Sequence, residues 1–235
     1  MSGNLTGYDC KKCKNKGVIY YEKDGYEYFR NCECMKVRRS IERIEKSGLK
    51  KALGKYTFEN YKADEPFQKY IKTKASDFLS DFKDKWFYIG GQVGCGKTHI
   101  CTAIVGELLN QGKSARYMQW RDDIVKIKAN ANTDDYNRLI EPFKKVEVLY
   151  VDDLFKTEKG KTPTTADINI AFEIFNYRYI NDNLITLISS EKTIDELIDI
   201  DEAVASRIYE MSRKYCICIN PDKNKNYRLK KIERF

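Results

Sequence analysis

Eight consecutive residues, Gly91-Gln92-Val93-Gly94-Cys95-Gly96-Lys97-Thr98, match G-x-x-x-x-G-K-[ST] at every fixed position. A polyphosphate needs many donors at short range, and this spacing supplies them. Glycines lack a Cβ, so such a loop can curl and point successive N–H groups inward. A helix opening near Lys97 adds its unpaired N–H groups and the positive end of its dipole. Lys97 is then placed for the β- and γ-phosphates, and the Thr98 hydroxyl for Mg²⁺. His99, the single histidine, borders this set of nucleotide contacts; on its own it reads as a packing residue on the helix.

Two further groups of residues carry chemistry. Val146-Glu147-Val148-Leu149-Tyr150-Val151 runs into Asp152-Asp153. A buried parallel strand places such acids at its carboxyl edge, where α/β sheets bind ligands. Asp152 is expected to hold Mg²⁺, and Asp153 to orient or deprotonate an attacking water; a plain turn after a strand is the simpler alternative. The third group is Cys10-x-x-Cys13 and, eighteen residues on, Cys32-x-Cys34. Four thiolates in two close pairs can meet at one tetrahedral Zn²⁺. A redox site is the competing use, and C-x-C departs from the commoner C-x-x-C. Cys216 and Cys218 have no partner pair and are expected as buried structural thiols.

The elements that must position these groups follow from periodicity. Trp86 to Ile89 reads as a strand before the loop, and Ile100, Ala103, Ile104 and Leu108 mark the helix after it, stopped by Gln111-Gly112. Further strands are expected at 115–120, 146–151, 184–190 and 216–219, and helices at 66–82, 121–129, 136–143, 165–181 and from Glu191. Strands alternating with helices imply an α/β fold, a parallel sheet between two helical layers. Near the amino terminus, Gly17–Tyr21 and Tyr26–Arg30 flank Asp24-Gly25, a hairpin signal that would return Cys32 and Cys34 beside Cys10 and Cys13. The expected organisation is a zinc module over 1–36, basic linker helices over 37–55 with Ile41, Ile44 and Leu49 as a thin apolar stripe, and a nucleotide-binding domain over 56–235. An exposed arm that binds a partner is the alternative for 37–55.

Composition narrows the class. The 235 residues carry net +8, distributed as +6 over 1–60, −4 over 61–212 and +6 over 213–235. Basic ends around a mildly acidic middle favour phosphate backbones or acidic protein surfaces, or serve solubility alone. No apolar run approaches the ~20 residues of a membrane span. Met1 to Leu5 lacks the apolar core of a secretion signal, so a cytoplasmic setting is expected, where reduced cysteines are free for metal.

The motifs in their order resemble the AAA+ ATPases of the DnaC/DnaI helicase-loader family over residues 56–235. The match is carried by Tyr56-Thr57-Phe58, Gly91 to Thr98, Asp152-Asp153-Leu154, Ser189-Ser190-Glu191, Ile194-Asp195-Glu196-Leu197, Ser206-Arg207-Ile208 and Asn226-Tyr227-Arg228-Leu229. Phage and plasmid relatives of that family also carry an amino-terminal cysteine module. The resemblance implies an ATP/ADP site with Mg²⁺, and a homo-oligomer in which Arg207 reaches the γ-phosphate of a neighbouring subunit as an arginine finger. It implies Arg228 as a second sensor. Ser190 and Glu191 stand at the first-sensor place, where the family often has Asn. The implied partners are a DnaB-class replicative helicase and single-stranded DNA, in the host cytoplasm if the chain is phage-encoded. Rival readings are an IstB-type transposase-helper ATPase, a nucleotide-dependent scaffold without turnover, and a small-molecule kinase, for which no acceptor pocket or arginine lid is visible.

Overall fold

In the computed structural model, residues 7–46 and 49–228 are described. Met1 to Leu5, Gly48, and the basic tail from Leu229 onward lie outside the described residues. Chain order begins with a hairpin, β1 (Val18–Lys23) and β2 (Tyr26–Asn31), then α1 (Cys34–Lys46), α2 (Lys50–Lys55) and α3 (Pro66–Ser80). The motif strand β3 (Trp86–Gly91) leads into α4 (Lys97–Asn110). After them come β4 (Ala115–Gln119), α5 (Trp120–Ala129), α6 (Asp135–Lys145), β5 (Val148–Leu154) and α7 (Thr165–Ile180). The chain closes with β6 (Ile185–Ser190), α8 (Ile194–Ile200), α9 (Glu202–Ser212) and β7 (Cys216–Ile219).

Five strands form one parallel sheet in the order β4-β5-β6-β3-β7. Strand β6 lies between β3 and β5, so the strand entering the glycine loop and the strand ending in the acids are separated by one position. Every residue of β3 and β6 is buried, as a strand covered by helices on both faces requires. On one face, Phe87, Ile89, Val148 and Leu187 pack with α3 and α4. On the other, Trp86, Tyr88, Leu149 and Val151 pack with α5 to α9. Helix ends carry the expected side-chain caps: Thr164 and Thr193 each accept from the N–H three residues on, with Asp167 and Glu196 reciprocating.

Two segments are placed differently from a simple reading of the sequence. Helix α1 begins at Cys34, inside the cysteine module, and lays Val37 and Ile44 into the same core as α3 and α4. The apolar stripe of the basic 37–55 stretch is thus spent on the sheet's helical layer. Strand β7 inverts the expectation for its cysteines. Ile217 and Ile219 are buried, whereas Cys216 is half-buried and Cys218 exposed. β7 pairs with β3 alone and forms the sheet's edge, so one face meets the core while the other is only partly covered.

The sheet is fastened at its amino-terminal edge by one buried cation. Arg178 of α7 is fully buried, and no carboxylate pairs with it among the described residues. Its guanidinium donates to the carbonyls of Phe143 (3.1 Å), Lys144 (3.0 Å), Val146 (2.8 Å), Glu147 (3.4 Å) and Ile185 (2.7 Å), and Nε donates to Thr186 Oγ1 (2.9 Å). Burial pulls its pKa down to about 9, which leaves it charged at neutral pH. The carbonyls it satisfies are those entering β5 and β6. Arg178→Ala therefore strands several buried acceptors, each worth about 1–3 kcal/mol when orphaned. Urea unfolding should show a loss of at least about 3 kcal/mol; a change below about 1 kcal/mol would mean water or a neighbour replaces the guanidinium.

Candidate nucleotide-binding site and metal centre

The glycine loop leaves β3 at Gly91 and enters α4 at Lys97, with Gly96 as its left-handed N-cap (φ 99°). Gly91 also has positive φ, and a Cβ there would stand 2.1 Å from the Ile219 carbonyl, so only glycine fits between β3 and β7. Lys97 is buried, and its Nζ donates to the loop carbonyls of Gly91 and Gln92, both at 2.8 Å. The ammonium is held inside the curl of the loop, where phosphate oxygens could replace those carbonyls. Val93, Gly94, Gly96, Lys97, Thr98 and Asp153 line one open cleft with His99 and Arg228. Cys95 is buried under the loop, and burial pushes its thiol upward in pKa. Gln92 accepts the Asp222 N–H on its side chain (2.9 Å), which ties the segment after β7 to the loop.

Asp152 is buried and accepts hydrogen bonds from four hydroxyls. These are Thr98 on α4 (3.3 Å), Tyr150 on β5 (2.7 Å), Tyr117 on β4 (2.9 Å) and Ser189 on β6. Burial, reinforced by the Asp152 charge, raises the pKa of both tyrosines, so they remain protonated donors. The pairing of β5 with β6 shifts register between Val151 and Leu154, and Asp153 takes a left-handed conformation with φ 57°. That bulge turns consecutive carboxylates apart. Asp152 faces Thr98, and Asp153 faces the mouth of the cleft. There Lys156 bridges Asp153 (2.8 Å) and Glu191 (2.9 Å). An acid and a threonine hydroxyl in direct contact fit a Mg²⁺ ion, whose ligands are oxygens.

The remaining expected residues divide. His99 Nε2 donates to the Thr57 carbonyl at 2.9 Å, and the ring stacks on Tyr56 with Tyr61 against its edge. Burial lowers its pKa, as expected for a packed neutral ring that also lines the cleft wall. Ser190 is fully buried and donates to the Leu154 carbonyl (2.8 Å), away from the loop; strand alternation puts Ser189, not Ser190, on Asp152. Arg228 is exposed at the cleft, where Tyr227 N–H donates to the Gly94 carbonyl (3.0 Å) and Asn226 packs over Gly94. Arg207 lies outside the cleft on α9. It donates to Asn176 (3.1 Å) and the Ala203 carbonyl (2.8 Å) and covers the Phe172 ring at 4.9 Å. Tyr117, Ser189 and Lys156 were missed by sequence reasoning. Tyr150 and Asp152 share a face by their i, i+2 spacing, but the place of Tyr117 depends on its pairing with Tyr150 across β4 and β5.

Residues 31–234 match the family model described as IstB-like ATP binding protein. The chain belongs to that family. Among curated relatives, this IstB-like chain is 35% identical over 214 residues to the Bacillus subtilis protein YqaM, covering 86% of the chain and 67% of the relative. It is 28% identical over 130 residues to the replicative helicase loader DnaC of Escherichia coli, covering 53% of the chain and 51% of the relative. The solved structure of the DnaC helicase loader superposes with TM-score 0.61 at 19% identity, over 73% of this chain and 99% of that one. The fold is thus the AAA+ P-loop fold, and the family binds ATP.

Most of the cysteine module precedes the span of that family match. Cys10, Cys13, Cys32 and Cys34 are all buried, and their Sγ atoms lie within 4.8 Å of one another. Cys10 to Cys32 is 3.7 Å and Cys13 to Cys34 is 3.5 Å. A tetrahedral Zn²⁺ with Zn–S bonds of about 2.3 Å needs S···S separations of about 3.8 Å. Those distances are far too long for disulfides and right for that ion. Burial, with the neighbouring thiols, pushes Cys34 up to about 12; at Cys13 the Gly17 N–H and the adjacent thiols outweigh burial and bring the pKa to about 7. So crowded a set cannot all ionise without a cation. Arg38 of α1, buried beside the cluster, donates to the Tyr8 carbonyl (3.0 Å) and to Asn15 (2.5 Å), which accepts the Cys10 N–H. The four thiolates would therefore hold Zn²⁺ as a structural ion that fastens the hairpin to α1.

Metal analysis should find one zinc per chain, with binding that weakens as pH falls because the ligands must be deprotonated. Cys32→Ser should lower zinc affinity and unfold the hairpin while leaving the sheet intact. Full retention of zinc by that variant would remove Cys32 from the ligand set.

Proposed function

We propose that this chain is an ATP-dependent loader of a DnaB-class replicative helicase onto single-stranded DNA. The observation that carries the nucleotide part is the convergence of Lys97, Thr98 and Asp153 on one cleft at the carboxyl edge of the sheet, with Asp152 bonded to Thr98 behind it. The likeness to DnaC proteins supports the loader part. Lys97 and the loop N–H groups bind the β- and γ-phosphates. Thr98 and Asp152 would hold Mg²⁺, which would neutralise phosphate charge when bound. Asp153 accepts a proton from the attacking water, which requires it to part from Lys156. Lys156, already spanning Asp153 and Glu191, would turn toward the γ-phosphate as that happens.

Arg207 does not line its own cleft and would act on the nucleotide of a second copy, so turnover would require a homo-oligomer. Arg228 would contact the nucleotide from the segment that lies over the loop. The zinc module and α1 would dock on the helicase. No helix among the described residues is long and apolar enough to cross a membrane, and the reading places the protein in the cytoplasm, that of the host if it is phage-encoded.

Lys97→Ala should reduce ATP affinity at least about 100-fold, the loss of a charge-assisted contact in a buried loop. Asp153→Asn should keep affinity but lose turnover by about 100-fold or more. Equilibrium binding and phosphate release separate these outcomes; wild-type turnover in Asp153→Asn would refute its role with water. Co-purification from host extract tests the partner: a replicative helicase supports loading, and a DNA transposase in its place supports a transposase helper.

A further inference from the structure

The β1–β2 hairpin presents aromatic side chains that no part of the described structure covers. Its strands pair only with each other, and every residue from Tyr20 to Asn31 is exposed. Tyr20, Tyr21, Tyr26, Tyr28 and Phe29 are all left in water, with Tyr26 69% exposed. A lone two-stranded hairpin is marginal in water. This one is fastened at its base, where the Cys32 N–H donates to the Gly17 carbonyl (2.8 Å) beside the cysteine cluster. Its apolar surface packs against nothing among the described residues, and such surface marks a binding site.

The two faces of the arm differ in charge. Register pairs Tyr21 with Tyr28, Lys23 with Tyr26 and Ile19 with Arg30 on one face. The rings of Tyr21 and Tyr28 lie 5.7 Å apart and nearly parallel, at 22°. Among the paired strand residues, the only formal charges on this face are the cations Lys23 and Arg30. The opposite face pairs Tyr20 with Phe29 and sets Glu22 directly against Glu27, two carboxylates that repel each other and any phosphate. Stacking rings flanked by cations, with carboxylates confined to the other side, is the chemistry of a single-stranded nucleic-acid platform.

We propose that the Tyr21–Tyr26–Tyr28 face of the hairpin, with Lys23 and Arg30, binds single-stranded DNA by base stacking and phosphate pairing. This deepens the loader reading by giving the DNA a contact on the zinc module, remote from the ATP cleft. The test uses the full-length, zinc-loaded protein without nucleotide, and reads fluorescence anisotropy of a labelled oligothymidylate of about 20 nucleotides. Tyr21→Ala with Tyr28→Ala should weaken binding roughly 10- to 100-fold, from the loss of stacking. Tyr21→Phe with Tyr28→Phe should retain affinity, because stacking uses the ring. Tyr20→Ala with Phe29→Ala should stay within about twofold of wild type, since that face carries the carboxylates. Lys23→Gln with Arg30→Gln should reduce the slope of log K against log salt by about 1.4, for two single-strand phosphates released. Zinc content equal to that of wild type marks each variant as folded.

The proposal is overturned if wild type shows no binding under these conditions. It is equally overturned if Tyr21→Ala with Tyr28→Ala binds as wild type, or if both faces lose affinity equally. Loss of helicase co-purification with DNA affinity unchanged would make the face a protein surface. Phosphate release measured on the same variants is expected to be unchanged, so failure here leaves the ATP-site reading standing, and failure of that reading leaves this one intact.

Discussion

A single buried carboxylate organises the site. Asp152 receives hydroxyls from β4, β5, β6 and the first turn of α4, so three adjacent strands and the phosphate loop's helix are tied to one anion. A charge this far from water needs partners, because its desolvation is otherwise prohibitive. The four hydroxyls supply them. The tyrosines contribute as protonated donors, held so by burial and by the anion itself. The same arrangement that makes Asp152 tolerable in the core sets it against Thr98, where the proposed Mg²⁺ would bind.

From that anchor the chemistry divides by geometry. The bulge after Val151 turns the half-buried Asp153 to the cleft while Asp152 stays buried. Two consecutive acids would alternate across a regular strand, one to each helical layer; the positive φ at Asp153 brings it to the mouth of the cleft instead. Lys156 lines the same cleft, held between Asp153 and Glu191. The opposite edge of the sheet is secured by Arg178, which satisfies the carbonyls leading into β5 and β6. The acid-bearing strand is thus fixed at both ends by buried polar groups on neighbouring elements, which limits how far Asp152 and Asp153 can move relative to the loop.

The cysteine module is held together differently. Residues 7–33 have too little apolar material for a core, and the aromatics of the hairpin are exposed. Order comes from four thiols, from Arg38 and from the continuation of Cys34 into α1. Because α1 also lays Val37 and Ile44 against the sheet, the module is joined to the nucleotide domain by a packed helix rather than a loose tether. A partner bound at the hairpin therefore has a rigid path toward the sheet.

Local sequence alone determined the phosphate loop, the acid pair, the cysteine set and the alternation of strands with helices. Each is a pattern over contiguous or regularly spaced residues, and backbone geometry makes such patterns legible: Gly91 to Thr98 has only one economical conformation, and Val148 to Asp152 only one plausible burial. Tertiary structure decided what depended on register between distant segments. It chose Ser189 over Ser190, because a strand's two faces exchange roles with a shift of one residue. It placed Tyr117 on Asp152 through the pairing of β4 with β5, turned Cys218 outward because β7 is an edge, and set Arg207 away from its own cleft. Those outcomes rest on contacts between residues tens of positions apart, and no local spacing encodes which of two neighbouring side chains such a contact will select.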